Sequence, residues 1–248
     1  MLTMPDRPAD RGYEPRITGN INFNRTIVNM TDFSSLRRTM VDTQLRTNKI
    51  TDERILTSML EIPRELFVPE EKAPLAYIDE DIQLSGGRCL PEPMIIARLI
   101  QMAKISSDDV VLDVACATGY SSAVVGRIAT AVVALDSHAE LAAAATKNLA
   151  SLGLDNVVVE TGPIEAGWPD QAPFDVILIN GACEKVPDAL LEQLSDPGRL
   201  CAIDCVGDGP GVARIWNKTD AVVSSRVVFD ANVPRLPEFN RPRSFSFQ

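Results

Sequence analysis

Histidine is almost missing from this sequence: of 248 residues, only His138 is one. Any His-based triad or proton shuttle would have to run through that single ring, two residues past the acid Asp136. A solvated or ligand-edge role suits it better than catalysis. Cysteine is also sparse. The five, at 89, 116, 183, 201 and 205, are odd in number and lack the paired spacing of a zinc site or a disulfide framework. Reduced thiols and no metal centre are expected. Cys201 and Cys205 lie four apart in a strand pattern, hence on one face, and read as core. No apolar run approaches the ~18–20 residues that span a bilayer. Met1 to Asn24 mixes Arg, Asp and Pro without the apolar stretch of a secretory leader, so a cytoplasmic location with no membrane partner is expected. Basic charge is short as well: 24 Lys and Arg face 34 Asp and Glu, for a net charge of −10. So acidic a surface repels phosphate backbones, which argues against nucleic acid as substrate.

What remains suits a single buried core: 45% of the residues are hydrophobic. The chain is organised around Val110 to Asp136. Val110-Val111-Leu112-Asp113-Val114 reads as a buried strand, because a nearly unbroken apolar run fits a parallel sheet covered on both faces. Small residues follow at Ala115, Ala117 and Gly119, then helical spacing from Ser121 to Ala129. A second strand, Ala131 to Leu135, ends on Asp136. This is one βαβ unit with a carboxylate ~20 residues past a small-residue turn, a geometry that suits the two hydroxyls of a ribose.

The ligand can be narrowed at one position. A dinucleotide fold wants its third glycine where this chain has Tyr120, since helix, strand and pyrophosphate must come close there. A ligand without pyrophosphate, such as S-adenosylmethionine (AdoMet), has no such need. The plainer alternative is a tight turn between two core elements.

Before this unit, residues 1 to 32 read as a flexible extension. Leu36, Met40, Val41 and Leu45 then share a helical face. Thr51-Asp52 begins a second helix that Pro63 stops, and Tyr77 to Pro93 reads as an irregular loop. Met94 to Ala103 is a largely apolar helix. After Asp136 come a helix from His138 to Leu152 closed by Gly153, strands at Asn156 to Thr161 and Phe174 to Asn180, a helix from Pro187, and a strand from Leu200 to Val206. Val212 to Trp216 and Ala221 to Phe229 read as a hairpin adding antiparallel strands at one edge. The alternation predicts an α/β fold, a doubly wound, mostly parallel sheet with an N-terminal helical cap over residues 33–92, a ligand-binding core over 93–206 and a C-terminal hairpin and tail over 207–248.

Acid–base apparatus is scarce, and methyl transfer tolerates that. The sulfonium of AdoMet is already activated, so the protein mainly aligns a nucleophile and excludes water. A carboxylate, with a pKa ~4, is ionised at neutral pH and needs no general base. Methyltransferases acting on nucleic-acid amines resemble one another in an Asn or Asp, two prolines and an aromatic after the fourth strand; here Asn180-Gly181-Ala182-Cys183 lacks the prolines and the aromatic.

From about Met40 to Val206 the chain resembles the protein-L-isoaspartate (D-aspartate) O-methyltransferase family. The resemblance is carried by Gln44-Leu45-Arg46, Ile62-Pro63-Arg64-Glu65-Leu66-Phe67-Val68, Tyr77-Ile78-Asp79, Thr118-Gly119-Tyr120 and Ala172-Pro173-Phe174-Asp175-Val176-Ile177, followed by Val186-Pro187, Leu190 and Gln193-Leu194. It implies a Rossmann-like class I methyltransferase fold, AdoMet as cofactor, and a protein or peptide carboxylate substrate, the isomerised aspartyl residue of damaged proteins. The chain departs from the pattern at three places. Ala115 and Ala117 stand where the family has glycines, a cost of roughly 1–2 kcal/mol wherever φ must be positive. The substrate loop reads Cys89-Leu90-Pro91-Glu92-Pro93 in place of Thr-Ile-Ser-Gln-Pro, so an anion faces the incoming carboxylate unless Arg88 neutralises it. Gly162-Pro163-Ile164 replaces Gly-Asp-Gly.

The candidate cofactor residues are therefore Asp113, Ala115, Cys116, Ala117, Gly119, Tyr120, Asp136, Ser137, Gly162, Pro163, Ile164 and Asn180, and the substrate loop contributes Arg88, Pro91 and Glu92. The expected activity is AdoMet-dependent carboxyl O-methylation. The alternatives are an AdoMet methyltransferase with another acceptor and a non-catalytic AdoMet-binding protein.

Overall fold

The computed structural model describes residues 32–205 and 209–240. The extension expected over residues 1 to 32 lies outside them apart from Asp32, whose carboxylate accepts the Ser35 N–H at 3.1 Å and caps the first helix.

That helix, α1 (Phe33–Met40), runs on into a π-helical turn, Val41–Leu45, and buries Met40, Val41 and Leu45. The second helix, α2 (Glu53–Glu61), starts at Asp52, which accepts the Arg54 N–H. A two-stranded antiparallel ladder follows, β1 (Ile82–Gln83) with β2 (Cys89–Leu90). The sequence reading made this stretch an irregular loop. Two residues per strand are too few for alternation to register. Next, α3 (Pro93–Ala103) begins on a proline, which suits the first turn because its missing N–H would have had no helical partner there.

The central sheet is built from β3 (Val110–Val114), β4 (Ala131–Asp136), β5 (Val157–Thr161), β6 (Phe174–Cys183), β7 (Leu194–Asp204), β8 (Val212–Thr219) and β9 (Val222–Asp230). The helices between them are α4 (Tyr120–Gly126), α5 (Ala139–Ser151) and α6 (Asp188–Glu192). Spatial order is β5-β4-β3-β6-β7-β8-β9, parallel through β7 and antiparallel across β7–β8 and β8–β9. The expected hairpin at the sheet edge is thus present.

Strand alternation splits the core in two. Val111, Val132, Val176, Leu178, Cys201 and Ile203 face one side with α3, α4 and α5, while Leu112, Val114, Val133, Leu135, Ile177 and Ile179 face the other. The chain winds outward from β3 through β4 to β5, then returns to place β6 on the other flank of β3. The carboxyl ends of β3 and β4 therefore lie at a topological switch point, where open α/β sheets bind ligands. Among the described residues no helix is long and apolar enough to cross a membrane, and no group of three or more His, Cys, Asp or Glu side chains could hold a metal.

Candidate active site

The turn between β3 and α4 is left-handed at three alternate residues: Ala115 (φ +57°), Ala117 (φ +50°) and Gly119 (φ +92°). The condition attached to the two alanines is met, so each holds a conformation that L-residues avoid. Gly119 has a further constraint, because a Cβ there would lie 3.1 Å from the Ala145 Cβ of α5. The turn is tied down on both sides. Thr118 donates its hydroxyl to the Phe67 carbonyl at 2.6 Å, and Asn148 donates to the Thr118 carbonyl at 3.1 Å.

Asp136, at the end of β4, is fully buried. Its Oδ2 accepts the Ala117 N–H at 2.9 Å and the Arg88 Nε–H at 3.1 Å. Its Oδ1 accepts the His138 N–H at 3.0 Å and lies 3.1 Å from His138 Nδ1. Arg88 also donates to the Ser137 hydroxyl at 2.9 Å and to Glu238 at 2.8 and 3.3 Å. Ser137 donates in turn to Glu238 at 3.0 Å. Burial works against the Arg88 charge, and the two carboxylates more than offset it, raising its pKa. Burial also pulls the Glu238 carboxyl up, but its hydrogen bonds from Arg88 and its own N–H, together with the Arg88 charge, hold it below the usual range.

Of the two cases left open for Arg88, the one observed is that it does not neutralise Glu92. Its guanidinium turns toward Asp136 and Glu238 instead. Among the described residues the charged groups acting on Glu92 are acids, and burial, then Asp79 and Asp81, raise its carboxyl pKa. Its backbone N–H donates to Asp81 at 2.9 Å. Pro91 is buried, with its carbonyl accepting from Arg64 Nη2 at 2.6 Å. Arg64, itself fully buried, also donates to the Ala76 carbonyl at 2.7 Å and lies 4.7 Å from the centroid of the Tyr120 ring. One side chain of the Pro-Arg-Glu segment thus fastens the substrate loop to the cofactor turn.

The other candidates have varied surroundings. Asp113 accepts from Ser121 at 2.7 Å, Ser122 at 2.5 Å and Asn180 at 2.7 Å, so it and Asn180 join α4 to β6; burial raises its pKa despite those bonds. Tyr120 is buried edge-on against Phe67, with centroids 5.3 Å apart. Cys116 is buried and its thiol lies well above its ordinary value; burial pushes Cys89 and Cys201 up to about 12. None of these three thiols is a nucleophile at neutral pH. Gly162 donates its N–H to the Asp136 carbonyl at 3.1 Å, Pro163 is exposed, and Ile164 belongs to the second core cluster. Ile164 thus lines the core instead of a ligand surface, because the short turn Ile164–Ala166 points it under the sheet with Phe174 and Leu190.

Three participants escaped the sequence reading. Glu238 reaches the site from 150 residues beyond Arg88, which no local pattern encodes. Arg64 was visible as a motif residue without a role. Trp168 covers Gly162 so closely that a Cβ there would lie 3.0 Å from its ring; its only signal was a rare aromatic six residues past that glycine.

The Asp136 carboxylate would suit the hydroxyls of a ribose, but the cavity beside its turn is small in this conformation. Pockets for such molecules measure ~300–1,000 Å³. The cavity bounded by Cys89, Pro91, Ala115, Ala117, Tyr120 and Asn180 is about 10 Å³. A separate groove of about 270 Å³, lined by Leu66, Val68, Leu84, Leu141 and Lys147, meets the same turn at Thr118.

A switch-point acid receiving the N–H of a small-residue turn, on a sheet of this order, defines the class I methyltransferase fold. A structure from Plasmodium falciparum, described as a protein-L-isoaspartate O-methyltransferase in complex with S-adenosyl-L-homocysteine, has this fold at a TM-score of 0.70 and 18% identity, over 82% of this chain and 98% of its own. The particular family follows from sequence. The profile of the protein-L-isoaspartate(D-aspartate) O-methyltransferases matches residues 36–228. The Koribacter versatilis protein-L-isoaspartate O-methyltransferase is 44% identical over 69% of this chain and 77% of its own length. That of Methylorubrum extorquens is 40% identical over 79% and 80%. The chain belongs to the protein-L-isoaspartate (D-aspartate) O-methyltransferase family.

Proposed function

We propose that this protein is an AdoMet-dependent carboxyl O-methyltransferase acting on isoaspartyl residues of proteins or peptides. The observation that carries the reading is the contact between the Ala117 N–H and Asp136 at the joined ends of β3 and β4. It presents a carboxylate and a close backbone approach at the switch point. Asp136 and Ser137 would hold the ribose hydroxyls, with the turn from Ala115 to Gly119 beneath the ligand and Gly162 and Pro163 at its far end. When bound, AdoMet supplies a methyl group already activated by its sulfonium. The chain's own part is to position and to exclude water. Arg64 fixes the Pro91 carbonyl and so sets the height of the substrate loop above the turn. The acceptor carboxylate is ionised at neutral pH and needs no base, which fits a site whose single histidine is bonded to the ribose acid.

The test is incubation with methyl-labelled AdoMet and an isoaspartyl peptide beside its aspartyl twin. Base-labile label on the isoaspartyl peptide alone supports the reading. Label on neither peptide, or equally on both, overturns it.

A further inference from the structure

We propose that Arg88 sets the ligand affinity of the cofactor site: its guanidinium takes the place on Asp136 that a ribose diol would fill, and it must withdraw before that carboxylate can accept from a ligand. The inference rests on the AdoMet reading above and goes beyond it.

A carboxylate offers about four acceptor positions. On Asp136 the Ala117 N–H, the Arg88 Nε–H and the His138 N–H occupy three, and the His138 ring nitrogen faces the fourth at 3.1 Å. Of these, Arg88 is the side chain that reaches in from a separate segment, and it has a second anchor of its own. Glu238 grips its other two nitrogens at 2.8 and 3.3 Å, and Glu238 is 23% exposed where Asp136 is wholly buried.

The segment carrying Arg88 is lightly held. Two ladder pairs, Ile82 with Leu90 and Gln83 with Cys89, and the Leu84 N–H to Arg88 carbonyl bond at 2.8 Å close a tip containing Gly86 and Gly87, both at positive φ. So short a ladder is marginal by itself. The tip also rests on the site, since a Cβ on Gly86 would lie 2.5 Å from the His138 ring. With the tip lifted, the groove of about 270 Å³ bordered by Leu84 and Ser85 joins the cavity of about 10 Å³ across Thr118.

The test is calorimetric titration of the full chain with S-adenosylhomocysteine, comparing the unmodified protein, Arg88→Met and Gly86→Ala. Methionine keeps an apolar stem of similar length without the charge. Gly86→Ala leaves Arg88 and Asp136 intact but places a Cβ 2.5 Å from the His138 ring at a φ of +63°, so the tip or the ring must move apart and the resting contact is lost. The expected result is affinity at least ten-fold tighter in Arg88→Met and several-fold tighter in Gly86→Ala. If the unmodified protein binds and Arg88→Met binds equally or more weakly, the proposal is overturned while the methyltransferase reading stands. If neither binds at millimolar ligand, both fall. Should Arg88→Met fail to fold, Gly86→Ala decides, and unchanged or weaker binding there overturns the proposal.

Discussion

Asp136 ends β4 with donors on every side, whereas Glu92 precedes α3 with Asp79 and Asp81 as its charged neighbours. On the proposed reading the two carboxylates belong to the two halves of one site, the cofactor end and the substrate loop. At the cofactor end the acid, the turn and the helix that follows interlock through bonds that reach into β6 and α5. Past the short ladder at Cys89 and Leu90, Pro91 and Glu92 are held by one bond from Arg64 to the Pro91 carbonyl and one from the Glu92 N–H to Asp81, and the charge points the wrong way for an anionic acceptor. The first half resists change because each alteration breaks several partners. The second can drift, and with it acceptor specificity.

The largest expected effect lies at the rigid end. Asp136→Ala removes one partner of an ion pair whose side chains are 1% and 0% exposed. Breaking such a pair from one side costs ~3–5 kcal/mol, and because Arg88 keeps Glu238 the loss should fall near 3, read from urea unfolding midpoints. A change under about 1 kcal/mol would show that the cofactor end is not the stiffer half.

Next comes the loop. Pro91→Ser with Glu92→Gln restores a hydroxyl donor and removes a like charge. At an effective dielectric of ~20 a like charge 4–6 Å away costs ~3–4 kcal/mol, but Glu92 is only part-buried and its raised pKa trims the penalty. A gain of about ten-fold in kcat/KM for an isoaspartyl peptide is expected. The pH dependence sharpens this. Below the raised Glu92 value its carboxyl is neutral and the Glu92→Gln enzyme gains little over the unmodified one. As pH rises through that value Glu92 ionises, and the ratio of the two activities should grow.

A smaller effect returns to the turn. Ala115→Gly with Ala117→Gly releases two residues from positive φ, worth ~1–2 kcal/mol each, against a glycine entropy cost of ~0.4–1 each. The pair should gain about 1–2 kcal/mol in thermal or urea unfolding.

How the site was legible follows the same division. The strands at 110–114, 131–136 and 157–161, the turn and its acid are local patterns, each readable from apolar runs and small residues within its own stretch. The hairpin at the sheet edge was equally local. What failed was non-local. Whether Arg88 folds back onto Glu92, four residues along its own loop, was open from sequence, and its partners lie 48 and 150 residues away. The role of Arg64 depends on Pro91, 27 residues on, and Ile164 looked like a ligand contact because only its turn geometry sends it into the core.

The smallest effect expected is at Glu238. Its depressed carboxyl adds stability that is present above the ordinary glutamate value of ~4.3 and is lost as pH falls through its lowered folded value. Acid unfolding of Glu238→Gln should lack that limb, a difference of about 1 kcal/mol or less for a partly exposed pair. Equal acid profiles would remove Glu238 from the comparison.

The most direct test of the cofactor end needs no mutation. Amide hydrogen exchange of the unmodified protein is followed with and without saturating S-adenosylhomocysteine, since exchange reports local opening segment by segment. Slower exchange across residues 115–121 and 136–138, with faster exchange across 84–88 as the Arg88 tip lifts, is the predicted footprint. Protection confined to another part of the molecule, or none at saturation, would contradict the assignment of Asp136 and its turn as the place where this protein holds its cofactor.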